Sequence, residues 1–273
     1  MNNYHGYMLE TADVSRSLPP IMLKNESSYL EEYARKNKVE DSVIEGIQRS
    51  ILNAPKWLPY SAQVYKTSAQ VENYFTVPTI IMPSDLPNRN MTAFPREELA
   101  RFDPEIGDHV YKGWIGKPVY INHINNDYTK AIGAVVDASM KPISGAKGDV
   151  WKVVSLLAID RTKNPKIARD IEEGRRTTYS MGALVKSYSC SVCSARGFIR
   201  PGIRDKYEAM PCGKEHTFVD RQGGFREFAH ERGTNDRTIG FLRAHDVKPF
   251  EVSSVDYPAF ASAYTRQSEI REF

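Results

Sequence analysis

The stretch WKVVSLLAIDRTKNPKIARDIEEGRRTTYSMGA, residues 151–183, changes period twice within one run. Its first nine residues, WKVVSLLAI, are mostly apolar and include the β-branched Val153, Val154 and Ile159, which predicts a strand over 151–159. Asn164 is then a good N-cap, Pro165 a good first residue, Ile167 and Ile171 lie four apart, and Gly174 ends the helical pattern. That helix delivers the chain into a second apolar, strand-like run that contains Ser180.

Upstream, KPVYINH (117–123) and KAIGAVVDASM (130–140) read as two further strands. INNDYT separates them, and KPISGAKGD separates the second from the strand at 151–159; both are turn-forming segments that suit antiparallel pairing. Before them, AQVYKTSAQVENYFTVPTIIMPS has β composition from about residue 64, and Pro95 is placed to open a short helix. Residues 1–26 carry no clear period and read as an extended or loosely docked arm. The following segment has a capping-box pair, Ser28 and Glu31, and apolar residues Val43, Ile44, Ile47 and Ile51 at helical spacing. Downstream, PFEVSSVDYPAFASA (249–263) reads as the last strand.

These divisions give an N-terminal arm and helical region over 1–63 and a β core over 64–189 and 249–263. Residues 190–248 read as an insertion with little strand periodicity, and 264–273 as a polar tail.

Composition narrows the class. With 41% hydrophobic and 26% charged residues in 273, the chain can bury a substantial core and is neither wholly disordered nor fibrous. No run approaches the roughly 18 apolar residues of a membrane span, and the N-terminus lacks the apolar centre of a signal peptide, so an intracellular location without membrane contact is expected. A formal charge of +3 does not by itself imply a nucleic-acid partner.

All three cysteines fall between 190 and 212, which disfavours a disulfide scaffold and points to a reducing compartment. Cys190-x-x-Cys193 followed by Cys212-x-x-x-His216 supplies three thiolates and an imidazole, a set suited to tetrahedral zinc. Four protein ligands fill the coordination sphere, so the zinc is expected to be structural and to staple the insertion. His230 is a substitute for His216, and His245 reads as solvated or paired.

A serine in a strand is commonly packed or solvated, and becomes a nucleophile only beside a base that a third group orients. His123, entering a polar turn, is a candidate base, and Glu251 and Asp256 are candidate acids. The blocks KPVYINHINNDYTKAIGAVVDASM, residues 151–183 and FEVSSVDYPAFASA together resemble the His, Ser and acid blocks of tailed-bacteriophage prohead (capsid maturation) proteases, over roughly residues 90–263. The resemblance implies a serine endopeptidase with an assemblin-like fold, α+β, in which a mostly antiparallel β-barrel carries flanking helices. It implies Ser180 as nucleophile, His123 as general base and Glu251 as orienting acid, with Asp256 in reserve.

The same resemblance implies scaffold or core proteins and the major capsid protein as substrates, a location inside the assembling prohead in the host cytoplasm, and possible homo-oligomerisation. Self-cleavage at IREF, through Ile270 and Glu272, is a further expectation. Two other readings stand beside it. One is a catalytically inactive capsid or core protein with the same fold. The other is a zinc-knuckle nucleic-acid-binding protein, for which arginines interleave with Phe198, Tyr207, Phe218, Phe225 and Phe228.

Overall fold

A computed structural model describes residues 3–4, 7–14, 57–88, 90–143, 150–203, 205–212, 216–221, 225–232 and 236–256, with the backbone alone for 3–4, 7–14, 216–221, 225–232 and 236–239. The helical region expected before Pro55, the tail 264–273 and IREF lie outside these residues.

In chain order the strands are β1 (Asn3–Tyr4), β2 (Tyr7–Val14), β3 (Tyr74–Pro83), β4 (Thr92–Ala93), β5 (Phe102–Asp103), β6 (Asp108–His109), β7 (Pro118–Ile121) and β8 (Gly133–Pro142). They continue as β9 (Trp151–Asp160), β10 (Tyr179–Cys190), β11 (Arg196–Phe198), β12 (His216–Arg221), β13 (Phe225–Arg232), β14 (Asp236–Gly240) and β15 (Leu242–Ser254). Among the described residues three short α-helices accompany them: α1 (Trp57–Tyr60), α2 (Arg96–Leu99) and α3 (Pro165–Glu172).

One large sheet organises the molecule, in the order β1-β2-β10-β15-β7-β8-β9-β3, with β11 added to β10 and β4 to β15. Pairing is antiparallel except that β15 runs parallel to β7 and β4. The expected closed barrel is corrected by this order. The ends approach one another, β3 lying near β2 and β10, but no ladder among the described residues joins them. Closure requires strand number, tilt and register to agree around the full circle. Here bulges at Ile80/Met82, Val135/Asp137 and Gly182/Ala183 curl the sheet, and the hydrogen-bonded path still stops at β3.

Residues 151–183 form β9, α3 and the start of β10. Asn164 accepts from the Ile167 N–H at 3.2 Å, Pro165 occupies the first turn, and Ala168 and Ile171 are buried. Gly174 takes the left-handed conformation (φ 70°) that turns the chain out of the helix. Inside the curled sheet, Phe75, Val77, Trp114, Val119, Leu157, Met181 and Val252 are fully buried in one core cluster. A smaller cluster packs Trp57, Tyr65, Tyr74 and Tyr120 over the outer side of β8 and β9.

Three elements differ from expectation. The arm contains β1 and β2, and β2 pairs with β10 along Tyr179–Val185. Its sequence YMLETADV shows no clean alternation, so only the tertiary partner reveals the strand. The last strand starts earlier than expected, at Leu242, because it pairs with the whole of β10 back to Cys190. Between those ends, β12, β13 and β14 form a separate three-stranded antiparallel sheet where little periodicity was read.

Candidate active site

The site is built where β10 and β15 run side by side. Ser180 lies opposite Ser253 and Gly182 opposite Glu251. Residues two apart on a strand share a face, so Ser180 and Gly182 form one patch with Glu251 and Ser253. The Glu251 side chain needs the space that glycine leaves: a Cβ at Gly182 would lie 2.6 Å from Glu251 Oε1 and 3.0 Å from its Cγ. Directly beyond Gly182 the register shifts, Ala183 pairing with Pro249, so the bulge re-aims β15 at the acid. On the other side, the Trp114 indole N–H donates to the Gly182 carbonyl at 3.3 Å and fixes the glycine from below.

His123 reaches this patch from the end of β7. Asn122 and His123 both adopt left-handed backbone, φ 48° and 56°, which folds the chain back over β15. Asn and His tolerate that region better than most residues, but it still requires support. Support comes from β15: Asn122 N–H donates to Ser254 O at 2.9 Å, and His123 N–H donates to Ser253 Oγ at 3.3 Å.

The ring then bridges the two strands. His123 Nδ1 is 2.7 Å from Glu251 Oε1, and His123 Nε2 is 2.8 Å from Ser180 Oγ. Glu251 is fully buried and its second oxygen, Oε2, accepts from Ser253 Oγ–H at 2.6 Å. With an ionised carboxylate at Nδ1, that nitrogen carries the ring proton, which leaves Nε2 as the acceptor facing the serine hydroxyl. Ser180 is completely buried, while the His123 side chain is 25% exposed, so the group reaches solvent through the imidazole.

Asp256, the alternative acid, is engaged elsewhere. Its carboxylate accepts from Asn122 Nδ2 at 2.7 Å and from Arg176, and these bonds hold it below the usual carboxylate range. Ser253, Gly182 and Arg176 carry no role in the sequence reading. For Ser253 and Gly182 the signal was present, since each lies two residues from an expected site residue on the same strand.

The three cysteines lie at the far end of the β10 and β15 pair. Their sulfurs are all within 4.8 Å of one another, with Cys190 buried, Cys212 half-buried and Cys193 exposed. No disulfide links them. Cys190 ends β10, Ser194 at φ 61° closes the turn, and the Val192 N–H donates to Cys190 Sγ at 3.4 Å. Burial and the neighbouring thiols push Cys212 up to about 12. At Cys193 burial acts upward too, but hydrogen bonds from the Ala195 backbone and from the Cys190 and Cys212 thiols outweigh it and lower the thiol. A cluster whose thiols resist joint ionisation, with an N–H aimed at one sulfur, fits a cation that would stabilise the thiolates together. The side chains of His216 and His230 lie outside the described residues, although their backbones are directly paired across β12 and β13.

No protein-family model matches this chain, and no curated protein matches it by sequence. Among solved structures it is similar to the bacteriophage T4 capsid assembly protease gp21, with 11% sequence identity and a TM-score of 0.43, over 92% of this chain and 99% of that one.

Proposed function

We propose that the chain is a serine endopeptidase of the prohead-maturation kind, with Ser180 as nucleophile, His123 as general base and Glu251 as orienting acid. The carrying observation is the unbroken relay of Ser180 Oγ to His123 Nε2 at 2.8 Å and His123 Nδ1 to Glu251 Oε1 at 2.7 Å. Three residues from three separate segments meet in the order that nucleophilic catalysis needs.

In the first half-reaction, Ser180 Oγ bonds to the peptide carbonyl carbon while His123 Nε2 takes the hydroxyl proton. The C–N bond then breaks and the imidazolium returns that proton to the departing amine. In the second, His123 takes a proton from water as the water oxygen attacks the acyl carbon, and the imidazolium returns that proton to Ser180 Oγ as the ester bond to Ser180 breaks, which restores the free serine and a neutral ring. Glu251 stays ionised throughout and stabilises the imidazolium. Because Ser180 is fully buried, a polypeptide must open the site before this chemistry begins. Gating of that kind suits an enzyme acting on its neighbours inside a closed shell.

The sequence blocks favour scaffold or core proteins and the major capsid protein as substrates, within a prohead. The cysteine cluster is assigned a structural zinc, with His216 as fourth ligand, pinning the start of the 190–248 insertion. When bound, the ion supplies folding energy, and no step of the peptide cleavage passes through it.

Wild-type and Ser180→Ala proteins incubated with prohead scaffold, followed by intact-mass analysis, test the reading. Fragments from the wild type alone support it. Intact scaffold with both, in proteins of native fold inside assembled heads, overturns it in favour of a structural capsid protein.

A further inference from the structure

We propose that Arg176 is a positioning residue for His123, acting through Asn122 and Asp256; the inference rests on the reading of Ser180, His123 and Glu251 as a catalytic relay. Arg176 lies four residues before Ser180, in the segment that leaves α3, and its backbone N–H donates to Asp170 O at 2.9 Å. Its side chain is only 11% exposed.

Every arm of its guanidinium is used. Nε donates to Ser254 Oγ at 2.6 Å, Nη2 donates to Ser254 O at 2.8 Å and to Asn122 Oδ1 at 2.9 Å, and Nη1 pairs with Asp256. Asn122 in turn donates from Nδ2 to Asp256 Oδ2 at 2.7 Å, and its Oδ1 also accepts from the Asp256 N–H at 3.1 Å. One planar fork therefore ties together the lead-in to the nucleophile's strand, the turn that carries the base, and the end of the strand that carries the acid.

The tie matters because of the backbone it restrains. Asn122 and His123 are consecutive non-glycine residues in left-handed conformation, which persists only where surrounding contacts over-determine it. Release of Asn122 lets the turn relax toward ordinary φ and swings the imidazole away from Ser180 and Glu251. Lysine cannot substitute fully, since a single ammonium cannot reproduce the divergent donors of the fork.

The test reads the ring as well as the reaction. The ring nitrogens of ¹⁵N-histidine-labelled protein are followed through their carbon-bound protons, alongside saturation kinetics of Ser180 labelling by a fluorophosphonate. In wild type, His123 is expected as one fixed tautomer protonated at Nδ1. In Arg176→Met the tautomer becomes averaged, and the maximal labelling rate falls about 10- to 100-fold while the half-saturating concentration stays within about 2-fold. Arg176→Lys should recover part of both signals. Asp256→Asn, at an exposed side chain, should move them the same way and serves if Arg176→Met does not fold.

A folded Arg176→Met or Asp256→Asn protein with wild-type ring shifts and labelling overturns the proposal, as does a wild-type ring without a fixed tautomer. A fixed wild-type ring that is lost in the variants, in a protein that neither labels nor cleaves, supports the positioning role and overturns the protease reading instead.

Discussion

Gly182 and Glu251 face each other across the β10–β15 ladder so closely that any side chain at 182 would occupy the carboxylate's place, with a Cβ 2.6 Å from Oε1. Gly182→Ala is therefore expected to push Glu251 off His123. Turnover should fall about 10- to 100-fold, as for a catalytic group displaced by about 1 Å. Overpacking should cost about 1–3 kcal/mol of stability. Initial rates and denaturant unfolding measure the two separately, and undiminished turnover would show that the acid tolerates displacement.

Glu251→Gln keeps the shape but lets the amide favour the wrong imidazole tautomer. A kcat loss on the order of 10²- to 10⁴-fold is expected, with little change in KM. Ser253→Ala removes the hydroxyl that donates to Oε2 at 2.6 Å and accepts the His123 N–H. About 1.5–3 kcal/mol of stability should be lost, since the bond is to a buried charge. If Ser253→Ala lowers neither stability nor kcat, the carboxylate is held by the histidine alone.

Elemental analysis of purified protein should find one zinc per chain. Cys212→Ser or a strong chelator should remove it and lower the thermal midpoint, whereas Ser180→Ala should keep both. Binding must displace thiol protons, most of all at Cys212, so zinc affinity should rise steeply with pH. Affinity that is flat between pH 6 and 8 would rule out thiolate ligation.

His245 sits on β15 with Nε2 2.7 Å from Ser189 Oγ. Burial first, and the Arg196 charge second, hold its pKa below the ordinary value near 6.5, while Glu98, Asp246 and Glu97 oppose them. The unfolded chain then binds the proton more readily than the folded one between those two values. Stability is thus fully present above about pH 6.5 and is lost as pH falls toward the folded value. Thermal midpoints from pH 8 to 5 should show that decline, and His245→Gln should flatten part of it.

Strands β7, β8, β9 and β10 and helix α3 were legible because each has its own period or cap, as at Asn164 and Gly174. The pairings that make a site were less so. Residue chemistry alone left Glu251 and Asp256 both open, and only the family resemblance ranked Glu251 first, because both lie near the end of β15 and it is the bulge at Gly182/Ala183 and the Arg176 fork that set which one meets His123. Barrel closure also depends on register around the whole sheet, which no local pattern encodes. Strand β2 was missed for the same reason: its alignment, with Asp13 opposite Ser180, is a property of β10 as much as of YMLETADV.

The parallel docking of β7 on β15 has a consequence for how the protein is made. His123 precedes Ser180 by 57 residues and Glu251 by 128, and its turn is tied over long range to Glu251, Ser253, Ser254 and Asp256 and, through Asn122, to Arg176. A chain emerging from the ribosome exposes its serine and its histidine long before it has anything to bind them together. Loop closures of this span come late in folding. If the relay is catalytic as proposed, it cannot assemble until β15 has been translated and inserted, so insertion of that strand acts as the first lock on its reactivity.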